Sequence, residues 1–306
     1  MHTYIPYNQL RTNSIIQYHQ SQEPRRNTMS YEERNWKASI MANYHDITQE
    51  KTYTGTVTKG AKKRIQKAVS ILVQGSNEQW IQNPVTGKRQ KFKLSFITLT
   101  ISETERNLTA KEAHKILLEP FLRYMRDRYN MRTYIWKAEL QERGQIHYHL
   151  TTNVFIPYYV IRDYWNKLQR KAGLLENFKA KFGHENPNSI DVHSVYKIKN
   201  LESYLVKYLS KSESDKGSTE GKIWDCSTNI KRAKYFVVEN DTVSDEKIKE
   251  AAKKGKVIYK ETEHCKIIIP HKIKVTDLLT VEALQKYEIW RQELNLNGYS
   301  IEVQKE

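Results

Sequence analysis

Lys137-Ala138-Glu139-Leu140-Gln141-Glu142-Arg143-Gly144-Gln145-Ile146-His147-Tyr148-His149-Leu150 reads as two short strands joined by a glycine turn, and its register decides the fold. Successive side chains of a strand point to opposite faces, so His147 and His149 share one face. Gly144 suits the left-handed position that closes a three-residue loop, Glu142-Arg143-Gly144. That loop pairs Gln141 with Gln145 and sets Glu139 opposite His147. A two-residue loop would shift the pairing by one, turn Glu139 away and force Arg143 to a positive φ. In the favoured register Trp136, Ala138 and Leu140 line up beside Ile146, Tyr148 and Leu150 as a packing surface. The other face keeps Lys137, Glu139, Gln141, Gln145, His147, His149 and Thr151. Glu139, His147 and His149 are therefore candidate metal ligands, and mixed nitrogen and oxygen donors suit Mg2+ or Mn2+ held with a substrate phosphate.

Outward from the hairpin, periodicity predicts a strand over 91–101, with Phe96, Thr98 and Thr100 on one side and Ile97, Leu99 and Ile101 on the other. A helix is expected over 109–129, strands over 132–141 and 145–156, and a helix over 158–172. A strand over 189–196 and a helix over 200–211 follow. This order describes an α+β fold, an antiparallel sheet with helices packed on one face. Upstream, Ala61, Ile65, Val69 and Leu72 mark a basic helix over 60–73. The expected organisation is a flexible arm over 1–55 with one helix near Tyr31–Tyr44, then a catalytic domain over 56–211 whose core is 91–211. A Ser/Asp/Lys/Gly linker over 212–222 leads to a smaller accessory α/β region over 223–306.

The chain has 306 residues with Lys+Arg 51 against Asp+Glu 35, a net charge of +16. Such a surplus points to a polyanionic partner. Residues 51–93 hold ten basic side chains and one acid, Glu78. Tyr and Trp interleaved with the cations favour nucleic acid, since aromatic rings stack on unpaired bases while cations hold phosphates. No window nears the ~20 apolar residues of a membrane span, and Met1 to Ser30 lack an apolar leader core, so a cytoplasmic protein without a membrane partner is expected. Two cysteines, Cys226 and Cys265, rule out a disulfide framework.

In the helix over 200–211, Tyr204 and Tyr208 stand one turn apart. Tyr208 falls near the stripe of Leu201, Leu205 and Leu209, whereas Tyr204 rotates outward beside Lys207 and Lys211, where positive charge would favour phenolate.

Together these residues resemble the HUH (His–hydrophobic–His) endonucleases that initiate rolling-circle replication. Phe96-Ile97-Thr98-Leu99-Thr100 looks like the first motif of that family and His147-Tyr148-His149 like its metal motif, with Glu139 where relatives place a third ligand. Tyr204-x-x-Lys207-Tyr208-x-x-Lys211 is similar to the two-tyrosine motif of initiators from small single-stranded DNA phages and related plasmids. The resemblance spans about 91–211. It implies a ferredoxin/RRM-like core sheet and a metal-dependent nick in single-stranded origin DNA, with Tyr204 as first nucleophile, Tyr208 as its partner and Lys207 positioning the phosphate. The expected products are a 5′-phosphotyrosine link and a free 3′-OH. The sequence carries no G-x-x-x-x-G-K-[ST] phosphate loop, so a helicase and a polymerase of a bacterial host are the expected partners. Relaxases and single-strand transposases share this chemistry and stay open as alternatives. A DNA-binding protein that keeps the fold without cutting is the non-enzymatic one. A two-histidine phosphoesterase would need a second H-x-[ST] strand, and His19-Gln20-Ser21 lies in the polar arm.

Overall fold

The computed structural model describes residues 7–11, 14–18, 57–82, 87–102, 107–141, 144–196, 201–210, 220–239, 243–262 and 265–294. The helix expected near Tyr31–Tyr44, most of the linker and Lys211 lie outside the described residues. The chain divides into two units, one made of 1–54 with 236–284, the other of 55–235 with 285–306.

In the first unit β1 (Tyr7–Arg11) and β2 (Ser14–Tyr18) enter one antiparallel sheet with β10 (Val237–Glu239), β11 (Val257–Glu261) and β12 (Cys265–Pro270), in the order β10-β1-β2-β12-β11. Leu10, Ile15 and Ile268 are buried on one face. Residues 7–18, read as part of an arm, are thus a hairpin. Each strand is too short to show a period, and its sheet partners stand more than 200 positions away in sequence.

The second unit carries the helix α1 (Lys59–Gly75), the two-stranded ribbon β3 (Gln79–Gln82) and β4 (Arg89–Phe92), and a five-stranded antiparallel sheet. The single strand expected over 91–101 is split, with β4 ending at Phe92 and β5 running Ser95–Thr100. After β5 come α2 (Ala110–Ala113), a π turn (His114–Leu118) and α3 (Glu119–Tyr129), and then β6 (Tyr134–Leu140) and β7 (Ile146–Thr152). Next are α4 (Tyr158–Lys171), the short α5 (Glu176–Phe182), β8 (Ile190–Ser194) and α6 (Leu201–Ser210). The π turn has a local cause: Pro120 has no N–H to donate and its ring crowds the carbonyl four residues back, which belongs to Ile116 within that turn.

The strand order is β8-β5-β7-β6, extended at the β6 edge by β9 (Trp224–Cys226). With the chain order β-α-β-β-α-β this is the ferredoxin-like arrangement, an α+β fold with a central sheet. The accessory region expected from 223 onward therefore begins inside this unit, because β9 pairs with β6 and Ala138 N–H donates to Ile223 O.

One sheet face carries Trp136, Ala138, Tyr148, Leu150, Ile97 and Leu99, all buried. Trp136 meets Tyr148 edge to face at 5.9 Å, Tyr148 meets Trp165 of α4 at 6.3 Å, and Trp165 meets Phe121 of α3 at 5.6 Å. The opposite face carries Phe96, Thr98, Thr100, Lys137, Glu139, His147 and His149 by register. Helix α6 lies against this second face through Tyr204, Tyr208 and the buried Leu205 and Leu209, with α1 packed beside it. Helices thus flank the sheet on both sides.

Candidate active site

The hairpin of β6 and β7 takes the register that Gly144 dictates: Glu139 pairs with His147 and Lys137 with His149. Gln141 N–H donates to Gln145 O at 2.9 Å, closing the loop, and Gly144 has φ +83°. A Cβ there would also stand 2.6 Å from Asn107 Nδ2, so glycine is required by backbone and by space alike.

Strand β5 supplies the outer contacts. Thr98 and Thr100 pair with His149 and His147, and their hydroxyls lie 3.3 and 3.2 Å from the respective Nδ1 atoms. The Gln141 side-chain amide nitrogen also lies 3.2 Å from His147 Nδ1. A threonine hydroxyl can donate or accept, so it serves either imidazole tautomer. Phe96, two residues before Thr98, stacks on the His149 ring at 5.2 Å.

Glu139 is held from two sides. One oxygen takes a hydrogen bond from the ammonium of Lys137, and Oε2 stands 3.3 Å from His149 Nε2. Burial alone would raise this carboxyl, but the hydrogen bonds from His149 and Lys137, and then their charges, hold it at about 2. Lys137 is only 2% exposed and also donates to Tyr208 O at 3.4 Å. That carbonyl is in the last turn of α6, where carbonyls lack helical partners and the helix end is negative. One buried ammonium therefore ties the carboxylate to the tyrosine helix.

On α6 the rings of Tyr204 and Tyr208 are 4.7 Å apart, at 6.3 and 5.9 Å from Phe96. Their exposures reverse the helical-wheel expectation. Tyr204 is half-buried and Tyr208 is 39% exposed. Burial, then the neighbouring phenol of Tyr208, raises Tyr204, and no lysine offsets this. The wheel ranks directions around a helix but not what stands opposite, and Tyr204 faces Phe96 with Asp191 of β8 nearby. Lys207 is exposed, and no hydrogen bond or ion pair joins it to the cluster among the described residues.

The structure thus brings Glu139, His147, His149, Tyr204 and Tyr208 to one sheet face and leaves Lys207 outside the contacts. It adds Thr98, Thr100, Phe96 and Lys137, all readable in principle from strand alternation, and the exposed pair His193 and Asp191, 2.6 Å apart on β8. Two nitrogens and a carboxylate match Mg2+ or Mn2+ in donor chemistry, and 3.3 Å between Glu139 Oε2 and His149 Nε2 is near the separation of adjacent ligands with bonds of ~2.1 Å. The Nδ1 contacts to threonine are the outer-side partners that metal-bound imidazoles ordinarily have. Among the described residues, no three His, Cys, Asp or Glu side chains form a closed metal site. The His147 and His149 rings stand at 75° to one another, and Lys137 occupies one oxygen of Glu139. Among the described residues no helix is long and apolar enough to cross a membrane.

Neither the curated proteins nor the solved structures contain a match to this chain. Residues 94–213, from just before β5 to just past α6, match the model of the family described as Replication-associated protein ORF2, and this match supports a rolling-circle replication initiator family for the chain.

Proposed function

We propose that this chain nicks single-stranded DNA at a replication origin by tyrosine transesterification and so starts rolling-circle replication. The observation that carries the reading is that both phenols lie one ring, Phe96, away from His149, on the face that also holds Glu139 and His147. In the first transfer the Tyr204 oxygen bonds to phosphorus as the bond from phosphorus to the 3′ oxygen breaks. The phenol gives up its proton, the leaving oxygen gains one, and the products are a 5′-phosphotyrosine and a free 3′-OH. Tyr208, 4.7 Å away ring to ring, is placed for a second transfer that closes the displaced strand. Lys207, exposed between the two tyrosines, would hold the phosphate.

Glu139, His147 and His149 would hold a divalent ion, Mg2+ or Mn2+, which supplies charge neutralisation at the phosphate oxygens. Thr98 and Thr100 fix both imidazole rings, and Lys137 fixes the carboxylate. Strand separation and extension of the 3′-OH would fall to a helicase and a polymerase of the host, with the protein acting in the cytoplasm of a bacterial cell.

The test is incubation with labelled single-stranded oligonucleotides of varied sequence and Mn2+, followed by a denaturing gel. The expected result is a protein–DNA adduct that survives denaturation, needs the ion and vanishes in Tyr204→Phe/Tyr208→Phe. Cleavage without an adduct would replace the tyrosine mechanism with hydrolysis. Salt-sensitive binding with no cleavage across the pool would leave a DNA-binding protein.

A further inference from the structure

The ribbon of β3 and β4 has two unlike faces. Inward, Ile81 and Phe92 are buried, and Phe92 meets Phe155 edge to face at 5.8 Å, which anchors the ribbon to its unit. Outward, register sets Trp80 opposite Lys91 and Gln82 opposite Arg89, and all four are exposed. Trp80 is 57% exposed, a large apolar ring left in water for no reason the fold supplies. The Arg89 guanidinium and the Lys91 ammonium each lie 5.7 Å from its ring centre, and Lys91 is also 5.7 Å from the Tyr196 ring. Residues 79–82 and 87–92 contain no acid, and neither Arg89 nor Lys91 has an acidic partner among the described residues.

We propose that this outer face, centred on Trp80 with Arg89 and Lys91 beside it, is a docking surface for single-stranded DNA, in which an unpaired base stacks on the indole and the flanking phosphates meet the two cations. The proposal rests on the reading of the chain as an origin-nicking protein and assigns part of its substrate strand to a surface outside the tyrosine site. The aromatic ring selects single strands over duplex, since a base inside a duplex offers no free face. Two uncompensated cations within reach of one ring supply the charge complementarity to the backbone. The exposed Gln82 and Gln90 add donors and acceptors for base edges.

The experiment is anisotropy titration of the whole chain with a labelled mixed-sequence single strand and with the matching duplex, at several salt concentrations. Trp80→Ala should weaken single-strand binding roughly ten-fold or more, and Trp80→Phe should retain most of the affinity. Arg89→Ala/Lys91→Ala should lower the salt slope by about 0.7 per lost phosphate contact, a change that Trp80→Ala does not make. Trp80 is exposed, so its loss does not threaten folding, and an unchanged thermal transition checks this. Unchanged single-strand affinity in Trp80→Ala overturns the proposal. So does an equal loss on duplex, which would make the ribbon a general phosphate contact. Adduct formation by the unaltered chain is scored in parallel. Adducts with an unaffected Trp80→Ala sink the ribbon and spare the tyrosine mechanism, whereas Trp80-dependent binding with no adduct does the reverse.

Discussion

Glu139, His147 and His149 alternate with Ala138, Tyr148 and Leu150 on the same two strands, yet the two sets live under different physics. On one face Tyr148 is closed in by Trp136 and Trp165, and position is fixed by apolar contact on all sides. On the other, position is fixed by directional contacts: threonine hydroxyls on imidazoles, an ammonium on a carboxylate, a phenylalanine ring on His149. Packing tolerates no loss of volume but is indifferent to pH. The polar face gives up little volume on substitution but depends on charge. Lys137 crosses this division, because it belongs to the polar face and is as buried as the core.

Four outcomes test the contrast, beginning with the largest. Trp165→Ala should cost about 3–5 kcal/mol in urea unfolding, as expected for a buried aromatic ring removed without collapse. A cost near that of an exposed site would mean the packed face is not what holds the sheet. Lys137→Met should cost about 3 kcal/mol by leaving the Glu139 carboxylate buried without its cation, and Lys137→Met/Glu139→Leu should recover most of it. If the double variant is no better than the single one, the pair does not act as a unit.

Acid comes third. Glu139 sits at about 2 in the folded chain against an ordinary 4.5, so its ionised form favours folding. That contribution is complete above about pH 4.5 and fades as pH falls toward 2, with a size on the order of 2–3 kcal/mol. Glu139→Gln should flatten the pH dependence of unfolding in that window, and an equally steep decline in the variant would assign it to another carboxylate. Smallest in stability, His147→Ala should change unfolding by roughly 0.5 kcal/mol while abolishing Mn2+ binding by calorimetry. Thr98→Val should keep the fold and weaken Mn2+ about 10–100-fold. Unaltered Mn2+ affinity in both would remove the two histidines from the metal reading.

The hairpin was legible because a glycine turn and strict alternation together admit one register, and the helices over 110–129 and 158–171 because their apolar stripes are long. The buried state of Lys137 was not legible, since a lysine on a polar strand face reads as solvated until a helix is known to cover it. Nor was the order of exposure of Tyr204 and Tyr208, which depends on Phe96 and Asp191 across the interface with the sheet. The break at Lys93 and Leu94 between β4 and β5 hid inside an unbroken strand-like run. The hairpin of β1 and β2 escaped because its partners are remote.

That remoteness has a consequence for the ribosome. β2 ends at Tyr18, and the strands that complete its sheet begin at Val237, after the whole central sheet has been made. At ~5–20 residues per second the wait is on the order of ten seconds or more, during which the edges of β1 and β2 have no partner. The nicking unit can therefore finish folding before the first unit closes. A chain truncated before Val237 would strand an incomplete sheet at its own beginning, where unpaired edges invite association.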